Sequence, residues 1–168
     1  MPKIKNKSFL ISALLWCLVI LWMAVIFMFS AQVGNDSANL SGGLTRFLAK
    51  LFIDDFESME AFAQGQIIAS FAYPIRKLAH FSEYLILSVL CFFAVKSHEK
   101  EDKFAAVISV IISFFYAVSD EIHQYFVPDR ACKLLDVLID TSGAITGVVI
   151  CIILMQISRK LKNGKLKN

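Results

Sequence analysis

Four stretches of the chain are apolar and long, and in three of them ionisable residues gather near one end. Phe9 to Ser30 carries no charged residue, and about 20 such residues span the roughly 30 Å hydrocarbon core of a bilayer. Leu78 to Val95, Phe104 to Val127 and Leu134 to Ile157 repeat the signal with a few polar interruptions. The pattern predicts an all-α membrane protein with transmembrane helices near 9–30, 78–95, 104–127 and 134–157. A cleavable signal peptide is the competing reading of the first run. That run exceeds the usual apolar region of about 7–15 residues, and Ser30-Ala31-Gln32 is a weak cleavage site. A retained span is therefore expected.

The connection from Gln32 to Lys77 has its own periodicity. Asn35-Asp36-Ser37 supplies residues that cap helix N-termini. Leu40, Leu44, Phe47, Leu48 and Leu51 then recur as one helical stripe. Arg46 and Lys50 sit four apart beside it, which suits an amphipathic helix lying in the interface near lipid headgroups. The plainer alternative is a helix packed by its stripe onto its own domain. Asp54, Asp55, Glu57 and Glu60 mark a turn, and a weaker amphipathic segment from Ala61 to Ala72 leads to Pro74. Lys96 to Lys103 is a charged loop, Pro128 to Lys133 a tight turn, and the tail from Arg159 is basic.

Composition supports the membrane class. The 168 residues are 57% hydrophobic, with a mean hydropathy of +0.64, well above ordinary soluble domains. The length suits one domain, 1–168. The net charge of +3 is not arranged as a basic stripe with interleaved aromatics, so no nucleic-acid partner is expected. It reads instead as topology. The N-terminus, the 96–103 loop and the tail hold eleven of the 17 Lys and Arg residues. The positive-inside rule then puts both termini in the cytoplasm, with the long connection and the Pro128 turn outside. The four cysteines form no CxxC pair, and free thiols buried in apolar runs are expected.

With that topology, three spans bring their ionisable residues to the outer part of the membrane. Span two contributes His80 and Glu83. Span three contributes Asp120, Glu121, His123 and Gln124, and span four Asp136 and Asp140. Residues three and four apart share a helix face, so His80 and Glu83 pair up, as do Asp136 and Asp140. With Lys77 and Arg130 at the rim, these residues predict one outward-facing polar cleft. Ionisable groups cost about 2.5–3.5 kcal/mol at a helix centre, which makes such a cluster a functional-site candidate. A structural ion-pair network is the alternative, pairing Lys77 with Glu83 or Asp120, and Arg130 with Asp136.

Three chemistries fit this set. His80, Glu83, Asp120, Glu121 and His123 are candidates for general acid–base catalysis. His80, Glu83 and His123, with the other carboxylates, are of the type that ligates a divalent metal. Their spacing matches no defined metal motif such as HExxH, so no metal or other cofactor is assigned. Lys77, Gln124, Arg130, Asp136 and Asp140 are candidates for binding a charged headgroup. Gly143 and Gly147 form a GxxxG that reads as close helix packing. An ion carrier is disfavoured because the inner half of every span lacks charge.

At these residues the chain resembles the VanZ-like family of bacterial membrane proteins. The resemblance lies in Phe29-Ser30-Ala31-Gln32, in Arg76-Lys77-Leu78-Ala79-His80-Phe81-Ser82-Glu83-Tyr84, in Asp120-Glu121-Ile122-His123-Gln124 with Pro128-Asp129-Arg130, and in Asp136 to Gly147. It touches all four spans but little of the Gln32–Ala72 connection. It implies a multi-pass protein of the bacterial cell membrane, linked to low-level resistance to teicoplanin and related lipoglycopeptides. The motif residues it carries over are Lys77, His80, Glu83, Asp120, Glu121, His123, Gln124, Arg130, Asp136 and Asp140. The expected function is binding of a membrane lipid or lipid-linked cell-wall component at the outer leaflet. An intramembrane hydrolase or transferase is the alternative. Neither reading specifies an oligomeric state.

Overall fold

Every described element is helical, as the long apolar runs require when backbone groups must find their partners within the segment. The computed structural model describes residues 2–98 and 100–165, with side chains for 9–98 and 100–163. Helix α1 covers Pro2–Ser30, α2 Gly34–Phe52, α3 Ala61–Lys96, α4 Asp102–Gln124 and α5 Leu134–Lys165, with a short 3-10 turn at Phe56–Ser58. Helices α1, α3, α4 and α5 each contain a stretch long and apolar enough to cross a membrane.

Helix α3 is the hub, packing against all four of the other helices. Its closest approach is to α5. A Cβ on Gly143 would collide with the Phe81 backbone carbonyl, and one on Gly147 with the Leu85 carbonyl and the Ser88 hydroxyl. Only glycine lets the two backbones come so near, so the GxxxG is a packing device, as its spacing suggests. Tyr84, Leu87 and Cys91 of α3 lie fully buried beside Ala117 of α4 and Val19 and Ile26 of α1. Large apolar side chains such as Phe9, Leu14, Leu21, Phe115 and Leu154 point outward, an arrangement that suits lipid as the surrounding solvent.

Two boundaries differ from the sequence reading. The segment 61–72 and the second span are one helix, running through Pro74 without a break. Proline removes one backbone donor, but packing by a neighbouring element lets transmembrane helices continue through it. Here that neighbour is α2, which lies along the first half of α3, with Gly42 near Ile68. At about 1.5 Å per residue, the 36 residues of α3 exceed the roughly 30 Å core of a bilayer. The third span ends at Gln124 rather than Val127. Tyr125 to Arg130 form a turn, with Asp129 in the left-handed region at φ 58°.

Helix α2 is the larger surprise. Ser41, Thr45 and Ala49 form its buried face, while Leu40, Leu44, Phe47 and Leu51 are exposed. Small residues allow close packing on α3, and the hydroxyls are satisfied locally. Ser41 Oγ donates to the Ser37 carbonyl at 2.8 Å, and Thr45 Oγ1 to the Ser41 carbonyl at 2.7 Å. The apolar stripe therefore does not pack on the domain. Nor do Asn35, Asp36 or Ser37 cap the helix: Val33 is the N-cap, with no side-chain bond. The start is instead pinned to the α4–α5 turn. Gly34 N donates to the Pro128 carbonyl at 3.2 Å, and a Cβ at Gly34 would strike the Asp129 backbone. Among the thiols, Cys91 and Cys151 are buried, but Cys17 faces outward from α1, against expectation, and Cys132 is exposed.

Candidate functional site

The polar residues meet where the ends of α1 and α4, the start of α5 and the middle of α3 converge. Asp120, Glu121, Gln124, Asp136 and Asp140 are all buried there. His80 and Glu83 are mostly covered, with side chains 12% and 18% exposed.

The cations are not partnered as the sequence suggested. Lys77 pairs with Asp136 because α5 starts at Leu134 and lays its first turn directly along α3. Arg130, expected on Asp136, turns the other way, over the end of α1. Its Nε donates to the Gln32 carbonyl at 3.1 Å and its Nη2 to the Phe29 carbonyl at 3.2 Å. A cation at a helix C-terminus is favoured by the carbonyls that the helix leaves unpaired. Arg130 Nη1 donates to Gln124 Oε1 at 3.2 Å, and Gln124 Nε2 to Asp120 Oδ2 at 3.0 Å. Burial, and next the charge of Arg76, lower the Arg130 pKa from its ordinary value. A guanidinium nonetheless stays charged in proteins.

Glu121 does a different job. Its Oε2 accepts the Lys133 backbone N–H at 2.7 Å, which fixes the approach to α5. His123 packs its ring on Phe27, with centroids 4.5 Å apart, and its Nε2 is buried without a partner. The two histidines of the motif are thus separated in role: His123 faces α1, and His80 faces α5. Among the described residues no three His, Cys, Asp or Glu side chains are grouped to hold a metal ion.

A cavity of about 150 Å³ opens between α2 and α3, at the end of α1. Its walls are Phe29, Gln32, Ser37, Leu40, Ser41, Leu44, Ile75, Arg76, Ala79, His80, Glu83 and Arg130. Of the residues expected at the site, His80, Glu83 and Arg130 line it. Lys77, Asp120, Glu121, His123, Gln124, Asp136 and Asp140 do not line it. Two contributors were missed: Arg76 and the α2 wall. Arg76 lies four residues before His80 and seven before Glu83, so helical spacing places it on the same stripe. The α2 wall had no such signal, since its cavity-facing residues include the very leucines that read as lipid-facing.

Arg76 Nη2 donates to Ser41 Oγ at 3.2 Å, and its Nε is buried without a partner. Among the described residues, neither Arg76 nor Arg130 pairs with a carboxylate. Behind the cavity, His80 Nδ1 lies 3.8 Å from Glu83 Oε2 and 3.9 Å from Asp140 Oδ1, beyond hydrogen-bond length. Asp140 is 0% exposed, and neither of its oxygens has a hydrogen-bond partner.

No curated protein and no solved structure matches the chain. The family model described as VanZ/LLP1 does match, over residues 15–155. With four helices of membrane-spanning length, the match makes this a multi-pass membrane protein. The motifs at the ends of the spans and the match across most of its length agree: the chain belongs to the VanZ/LLP1 family.

Proposed function

We propose that this protein sits in the bacterial cell membrane with both termini cytoplasmic and binds an anionic lipid or lipid-linked cell-wall component in the outward-facing cleft, lowering susceptibility to teicoplanin-type glycopeptides. One observation carries the reading. Two guanidiniums without carboxylate partners, Arg76 and Arg130, border a cavity whose other walls are largely apolar. A partly buried cation without a direct ion pair is costly, and charge-assisted bonds to a phosphate or carboxylate would offset that cost. Leu40 and Leu44 line the cavity and are also exposed, which gives an acyl or prenyl chain a path outward along α2. Arg76 takes the headgroup role first assigned to Lys77, whose charge Asp136 neutralises. The asymmetric distribution of Lys and Arg supports an outer-leaflet position, and the family resemblance supports the link to glycopeptides.

The test is lipid retention by purified protein in nanodiscs of phosphatidylglycerol or phosphatidylcholine. Selective retention of the anionic lipid is expected, with a drop of at least about tenfold in Arg76→Gln at matched thermal stability, equivalent to about 1.4 kcal/mol. Equal retention of both lipids by the unaltered protein would refute the reading. For the glycopeptide link, expression of the same variant should no longer raise the teicoplanin concentration needed to stop growth.

A further inference from the structure

We infer that the cleft also hydrolyses the lipid it binds: Arg76 and Arg130 hold the two phosphoryl groups of a lipid diphosphate, and His80, with the buried Asp140 behind it, removes a proton from the attacking water. The inference rests on the binding reading above and adds a reaction to it.

A headgroup site needs cations and an apolar exit. It does not need an imidazole in its wall with a fully buried carboxylate behind it. His80 is such an imidazole: it lines the cavity, and its Nδ1 faces Asp140 Oδ1 and Glu83 Oε2 at 3.9 and 3.8 Å. That leaves Nε2 as the nitrogen available to the cavity. Asp140 has no hydrogen-bond partner for either oxygen. A buried carboxyl group in that state is unfavourable as an anion in the resting protein, but its ionised form is placed to stabilise the imidazolium that forms when His80 takes a proton. An interaction that strengthens as the reaction proceeds is the mark of a catalytic arrangement.

The phosphoryl groups find two cations from separate elements, one on α3 and one on the α4–α5 turn, so both phosphates can be held at once. The lipid chain follows Leu40 and Leu44. In the reaction the water oxygen forms a bond to one phosphorus, and its proton passes to His80 Nε2. The bridging P–O bond breaks, and its electron pair leaves with the second phosphate. That leaving group is a stable anion which the guanidiniums continue to neutralise. His80 then returns its proton to a product phosphate or to solvent. The products are a lipid monophosphate and inorganic phosphate, with water as the only co-reactant. Glu83, in the same wall, offers an acceptor for the second hydrogen of the attacking water. In this scheme His80 is catalytic, and Asp140 is a positioning residue acting through it.

The test uses the full chain in detergent micelles with farnesyl diphosphate as probe, following both phosphate release and equilibrium binding. Release is expected from the unaltered protein. His80→Asn should retain binding within about threefold while kcat falls about 100-fold or more, the usual range for loss of a general base. Asp140→Asn should lower kcat with little change in KM, and Asp140→Glu should recover part of the loss, a rescue that a merely structural carboxylate would not give. Each variant is compared at matched thermal stability. If His80→Asn does not fold, the kcat-against-KM split in the Asp140 pair decides. Probe bound without phosphate release, or release unchanged in His80→Asn, would overturn hydrolysis and leave the binding reading standing. Retention of phosphatidylglycerol without binding of farnesyl diphosphate would do the same. Binding of neither ligand would overturn both.

Discussion

Lys77 on α3 and Asp136 in the first turn of α5 form a largely buried ion pair that ties the two central helices together. Removing one partner of such a pair leaves an uncompensated charge and costs about 3–5 kcal/mol, whereas replacing both with apolar residues is often near neutral. Lys77→Met should therefore lower thermal stability strongly, and Lys77→Met/Asp136→Leu should recover most of the loss. A double-mutant cycle in detergent reads the difference. Additive losses would mean the pair is not coupled.

Arginine at 130 is tied to three acceptors on α1, the 32 position and α4. Arg130→Lys should be nearly as damaging as Arg130→Gln, because a point charge cannot reproduce the planar fork. Each lost bond to a charged group is worth about 1.5–3 kcal/mol. Arg76→Gln should behave differently, losing lipid affinity with a smaller loss of stability, since Arg76 makes one side-chain bond and leaves Nε unpartnered. Thermal melting and lipid retention, measured on the same samples, separate the two.

The glycines divide into two kinds. Gly143→Val and Gly147→Val should disrupt the α3–α5 contact and lower stability by at least about 1–3 kcal/mol, the usual cost of overpacking. Gly43 and Gly65 sit inside helices with open space where a Cβ would go. Gly43→Ala and Gly65→Ala should each stabilise by about 0.5–1 kcal/mol. Melting curves of the four single variants check both signs.

Cysteine labelling tests what surrounds the exposed surface. Cys17 and Cys132 are both exposed, but one lies on the first apolar helix and the other beside the α4–α5 turn. A membrane-impermeant maleimide added to intact cells should label Cys132 and spare Cys17. Denatured in detergent, both should react. Labelling of Cys17 in intact cells would place α1 in water, and failure at Cys132 would reverse the proposed topology.

How much of this was legible in the sequence depends on what periodicity can encode. It shows which residues share a face, and the apolar runs therefore located the four long helices and the level at which their polar residues meet. It does not show which face looks inward when the solvent is lipid. Hence the Leu40–Leu51 stripe was visible, while the inward role of Ser41, Thr45 and Ala49 was not. Pro74 read as a boundary because the local rule disfavours helix there, and only packing against α2 overrides it. Lys77 and Arg76 are adjacent, yet they point to different neighbours. Which of them reaches the cavity was fixed by where α5 begins and where α2 lies, facts that no local pattern carries.

The contact between Gly34 and the Asp129 turn anchors the start of α2. That end is clamped to the same turn that carries Arg130, so the cavity wall and one of its cations are fastened at a shared point. Swinging α2 away from α3 would thus widen the far end of the cavity first, like a door on a fixed post. In the proposed lipid binding, a guest would then enter sideways from the leaflet, chain trailing, and meet Arg130 last. Replacing Gly34 with any larger residue would loosen the post and the lock together.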